Sequence, residues 1–131
     1  MTHHVEGGFD VKRSAEPVHA AGEGLLGRHA LDKTYHGDLA ARGIGEMLSA
    51  GTATPGSAGY VAIEKVTGTL GGKSGSFYLM HYGVMTRGEG SLRIEVIPDS
   101  GTDDLVGLTG TMQIKIAAGG VHSYVFDYDL A

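Results

Sequence analysis

The chain of 131 residues contains no cysteine, so disulfides, thiolate nucleophiles and thiolate zinc sites are all excluded. It contains no tryptophan and only three prolines. No apolar run approaches the length of a membrane-spanning helix. The first ten residues, MTHHVEGGFD, have neither a basic lead nor an apolar stretch, so no signal peptide is expected and the compartment reads as the cytoplasm of a bacterium. Basic residues are few. Ten Lys and Arg against fifteen Asp and Glu give a net charge of −5, with the two signs interspersed. A surface without a basic stripe is a poor match for nucleic acid, and no membrane partner is expected.

What the chain has in abundance is glycine, 23 residues without a triplet period. Glycine at this density breaks helices and suits turns, bulges and bends in strands. Eight segments read as strands: Gly8 to Ser14, Gly27 to His36, Asp38 to Ser49, Gly59 to Leu70, Ser74 to Met85, Ser91 to Pro98, Gly107 to Ala117 and Val121 to Leu130. Gly71-Gly72, Gly88-Glu89-Gly90, Pro98 to Gly101 and Gly119-Gly120 mark turns between them. Pro17 to Leu26 and Ala50 to Ser57 read as loops. With no inter-domain linker and no repeat, the expectation is one domain over residues 1–131. Its class is all-β: a closed, eight-stranded, antiparallel up-and-down barrel of lipocalin-like appearance.

Alternation then assigns faces. Leu92, Ile94 and Val96 oppose Arg93 and Glu95; Met112, Ile114 and Ile116 oppose Gln113 and Lys115; Tyr124, Phe126 and Tyr128 oppose Ser123, Asp127 and Asp129. The fifth strand is apolar on both faces, with Phe77 and Leu79 on one and Tyr78, Met80, Tyr82 and Val84 on the other. One face of that strand belongs inside the barrel, and the other asks for cover. A second copy of the chain is the simplest cover, so a homo-oligomer, a dimer, is expected.

Turn parity locates the polar residues. A two-residue Gly71-Gly72 turn sets Leu70 against Lys73 and Glu64 against Leu79, with His81 diagonal to Glu64; a Gly72-Lys73 turn sets Glu64 directly against His81. A two-residue Gly88-Glu89 turn sets Met85 against Leu92 and His81 against Val96. Both place Glu64 and His81 on the inner wall, within reach of each other directly or through one water, beside Tyr60, Phe77, Leu79 and Ile94. For the last hairpin, only an odd loop of three or five residues matches the apolar faces. A two-residue His36-Gly37 turn would bring Glu46 to the face of Lys33 and Tyr35 as a second polar cluster; the alternative for Glu46 is an exposed cross-strand ion pair.

The stretches KTYHGDL, GEMLSAG, GSAGYVAIEKVTGTLGGKSGSFYLMHYG, PDSGTDDLVGLTGTM and HSYVFDYDL together resemble a bacterial domain-of-unknown-function family whose structures are similar to the allene oxide cyclase barrel. The resemblance implies an allene oxide cyclase-like, often oligomeric barrel without an established activity. It carries over no residue role.

Three functions fit this reading. The first is binding of a small, modestly apolar molecule in the lumen, lined by Tyr35, Glu46, Tyr60, Phe77, Leu79, Leu92, Ile94, Met112, Ile114, Tyr124, Phe126 and Tyr128. The second is an isomerase or cyclase with Glu64 and His81 as catalytic residues moving a proton in a dry cavity. The third is a structural barrel filled by its own side chains, with Glu64 and His81 a mutually satisfied buried pair. No cofactor is expected. No metal is expected either, because the histidines on strands, His29, His36, His81 and His122, share no ligand spacing. The glycine stretches lack P-loop order.

Overall fold

In the computed structural model, which describes residues 2–19 and 25–130, eight antiparallel strands follow one another around a closed barrel, with the first pairing the last. They are β1 (Thr2–Glu16), β2 (Leu26–Tyr35), β3 (Leu39–Gly51), β4 (Ala58–Leu70), β5 (Lys73–Thr86), β6 (Glu89–Val96), β7 (Thr109–Ile116) and β8 (His122–Asp129). The expected up-and-down barrel is thus observed. Among the described residues no helix is long and apolar enough to cross a membrane.

Strand β1 begins six residues earlier than the sequence suggests. Thr2 to Gly8 carry little apolar signal, yet they form the ladder with β8 that closes the barrel, His3 against Tyr128 and Phe9 against His122. The loop expected over Pro17 to Leu26 is shorter, since Leu26 already belongs to β2; residues 20–24 lie outside the described residues.

The turns show where parity succeeds. Leu70 pairs with Lys73 across Gly71-Gly72, whose φ angles are +57° and +83°. At the next hairpin the turn is Arg87-Gly88, one residue earlier than expected, with φ angles of +46° and +92°. His81 therefore pairs with Ile94, not Val96, and Met85 with Gly90, not Leu92. The slip moves each partner by two residues, so every side chain keeps its face. The last hairpin has the odd loop, with Ile116 against His122 and positive φ at Gly119 and Gly120.

The β6–β7 connection is not a tight turn. It runs back along β5, donating from Ile97 N–H to Tyr78 O at 2.9 Å and from Thr102 N–H to Ser76 O at 2.9 Å. A single 3-10 turn, Asp103–Leu105, then drops Leu105 and Leu108 into the end of the barrel, each only 1% exposed. Gly75 admits this plug: a Cβ there would lie 2.2 Å from Thr102 O.

The two ends of the barrel differ in consequence. At the plugged end Leu39, Leu70, Phe77, Phe126 and Tyr128 pack with Leu105 and Leu108 into one buried cluster. Towards the other end the inward-facing positions become progressively exposed. Phe9 is buried, Val11 half-buried and Arg13 exposed; Met112 is buried, Ile114 half-buried and Ile116 exposed. Ile94 is 1% exposed and Leu92 42%. The inner wall is thus sealed at the plugged end and grows more exposed towards the other.

Candidate functional site

Four inward side chains meet midway along this barrel. Glu64 on β4 and His81 on β5 face inwards from adjacent strands, His81 Nε2 lying 2.8 Å from Glu64 Oε1. Lys33 on β2 donates from Nζ to the same Oε1 at 3.0 Å. The Tyr35 hydroxyl donates to Glu64 Oε2 at 2.8 Å. All four are buried, Glu64 to 1% exposure. The carboxylate fits because Gly43 leaves room on the intervening strand: a Cβ there would stand 2.2 Å from Glu64 Oε2. Lys33 also lies over the Phe9 ring, 5.3 Å from its centroid, so the aromatic face shares the ammonium charge.

The charge state follows from these contacts. Burial pushes the Glu64 carboxyl up, but the His81 hydrogen bond and the Lys33 charge outweigh it and hold the group below the ordinary Glu value of 4.5. Glu64 is therefore ionised near neutral pH, and the His81 nitrogen facing it carries the proton. Burial, and then the negative charge of Glu64, pushes Tyr35 well above 10, so its phenol stays protonated and donates. A carboxylate with a depressed pKa and donors on both oxygens is a weak base. The quartet is built to hold a charge in place.

This has a testable pH dependence. Because the Glu64 pKa is lower in the folded than in the unfolded chain, its stabilisation is complete above about 4.5 and is lost as pH falls through the folded value. We expect the urea midpoint of the wild type to fall more steeply than that of Glu64→Gln between about pH 5 and pH 3. Parallel curves would mean that Glu64 gains nothing from its partners.

The expected lumen residues divide between floor and rim. Tyr35 joins the quartet. Ile94 lies beside His81. Phe77, Leu79, Met112, Phe126 and Tyr128 are core at the sealed end, and Phe126 stacks on Phe77 at 5.9 Å. Tyr124 is a clamp: its hydroxyl donates to His36 O at 2.8 Å and accepts from Leu39 N–H at 3.2 Å, pinning the β2–β3 turn. Tyr60, Leu92 and Ile114 line the open end. Tyr60 packs on Gly83, where a Cβ would meet its ring at 2.3 Å, and its ring centroid lies 6.4 Å from that of His81.

Glu46 is not in the lumen. Tyr35 pairs with Ala41, so the β2–β3 connection is odd where a two-residue turn would be even, and Glu46 falls on the outer face. There it accepts from Arg28 Nε at 2.7 Å, the exposed cross-strand ion pair. Lys33 and Tyr35 go inwards without it.

Two lumen features were not joined to the Glu64 pair by the sequence. Lys33 stands between Leu31 and Tyr35 in an alternating run, which signals an inward position, but its partner lies two strands away. His29, four residues before Lys33 on the same face, has a buried Nδ1 that makes no hydrogen bond, at a half-buried position near the rim. Among the described residues no group of three His, Asp or Glu is placed to hold a metal ion.

A closed eight-stranded barrel, plugged at one end and holding a buried Lys–Glu–His–Tyr quartet, defines a small β-barrel protein. The family described as "Protein of unknown function (DUF3224)" matches residues 5–128, and the chain belongs to it. A solved structure of a protein of unknown function from this family, from Shewanella oneidensis MR-1, is 53% identical over 100% of this chain and 98% of its own, with a TM-score of 0.94. No curated protein matches this chain.

Proposed function

We propose that the protein binds a small, modestly apolar molecule in the open end of the barrel, above the Glu64 quartet. The observation that carries this reading is the asymmetry of the inner wall. Tyr60, Leu92 and Ile114 are partly exposed on the inner wall at the unplugged end, beyond a fixed set of buried polar groups. Small-molecule sites combine these elements: apolar walls for affinity and a few oriented polar groups for specificity. The unpartnered Nδ1 of His29 adds a polar atom near the rim that a ligand donor would satisfy.

The isomerase alternative draws on the direct Glu64–His81 contact. The depressed Glu64 pKa weighs against it, since a general base works best with a pKa near the operating pH.

The test is a fragment screen by ligand-observed NMR on the wild type and on Ile114→Trp, which fills the mouth from a half-buried position. Hits are expected on the wild type, with affinity reduced about tenfold or more in the variant. Hits that bind both proteins equally would place binding elsewhere and refute the lumen site.

A further inference from the structure

The outer face of β3 to β6 is as ordered in its chemistry as the inner one. Cross-strand pairing sets two rows side by side. One runs Glu46, Ile63, Met80, Glu95; the next runs Leu48, Val61, Tyr82, Arg93, with Arg28 beyond Leu48 on β2. The apolar members are conspicuously wet, with Ile63 49%, Met80 42%, Val61 48% and Tyr82 61% exposed. They line a groove of about 1010 Å³, flanked on one side by the Arg28–Glu46 pair and on the other by Arg93–Glu95. Soluble monomers rarely leave an apolar surface of this extent in water.

We infer that this face is the interface of a homodimer, and that its two-fold axis runs across the strands, between the row of Met80 and the row of Tyr82. The charges select the axis. A two-fold axis in the interface plane and perpendicular to the strands exchanges the two rows but keeps each side. Glu95 of one protomer then faces the partner's Arg93, Met80 meets the partner's Tyr82, and Glu46 faces the partner's Leu48, with the partner's Arg28 one strand further on. An axis parallel to the strands would instead set Glu46 against the partner's Glu95, like against like, and Arg93 against the apolar side chain of the partner's Leu48. Only the first arrangement is self-complementary, as an isologous contact must be. The Met80–Tyr82 contact adds a thioether against an aromatic ring. The mouth of the barrel stays free, so the inference is independent of lumen binding.

Sedimentation of the full chain tests both parts. The wild type should run at twice 13.6 kDa at micromolar concentration, and Tyr82→Asp, at an exposed site, should run as a folded monomer by circular dichroism. Arg93→Glu should weaken the dimer about tenfold or more, and Arg93→Glu combined with Glu95→Arg should recover most of the loss, because the reversed charges again face one another. A wild type that stays monomeric at about 100 μM, far above the Kd of a standard-size interface, overturns the interface, as does a Tyr82→Asp dimer. An Arg93→Glu dimer as tight as the wild type or tighter overturns the axis.

Discussion

Glu64→Gln is expected to lower the stability of the barrel by about 3–5 kcal/mol near neutral pH, the cost of breaking a buried ion pair by removing one partner. An unsatisfied polar group alone would cost about 1–3 kcal/mol. The larger figure follows from Lys33. Its ammonium is 5% exposed and bonds to Glu64 Oε1, so an uncharged amide leaves a buried cation without its counter-charge. Lys33→Met should recover much of the loss when added to Glu64→Gln, since it removes the stranded charge. A double-mutant cycle by urea unfolding measures the coupling. Strictly additive losses would mean that the two groups stabilise the fold separately.

Phe126→Ala should cost about 3–5 kcal/mol, whereas Leu92→Ala, also inward-facing, should cost under about 1 kcal/mol. Phe126 is fully buried, stacked on Phe77 and 5.3 Å from Tyr128, beneath the Leu105 and Leu108 plug. Truncation there leaves a cavity that β-strands on every side prevent from collapsing. Leu92 is 42% exposed, so its truncation loses far less buried surface than that of Phe126 and leaves no closed cavity. The contrast measures the difference between sealed and open ends. Equal losses from the two changes would mean a barrel packed alike from end to end.

The barrel was legible because its determinants are local. Period-two alternation and glycine pairs in turns act over a few residues, and the inward placement of Glu64 and His81 followed from two successive turns and the apolar face of the sixth strand. The Arg87-Gly88 turn was missed by one position because Arg87 adopts a positive φ that its residue type does not advertise. The harder failures are tertiary. Glu46 points outwards because the β2–β3 turn is held open by the Tyr124 hydroxyl, 85 residues from Leu39 in sequence. The burial of Lys33 depends on Glu64, 31 residues away, and on the room that Gly43 leaves for that carboxylate. The segment before Gly8 is a strand because β8 is there to pair with it, and little in its own composition says so. The plug follows the same rule: Leu105 reads as a loop leucine and Leu108 as the start of the seventh strand until a barrel end is present to receive them, and β7 begins only at Thr109.

The most direct test of the site is a ¹³C NMR titration of the Glu64 side-chain carboxyl, assigned by its loss in Glu64→Gln. A fixed polar floor requires an ionised carboxylate, so the signal should show no titration near neutrality and should shift only below 4.5, at or before acid unfolding. A midpoint near 7 would contradict this account, because it would make Glu64 a proton-transfer group poised at the operating pH.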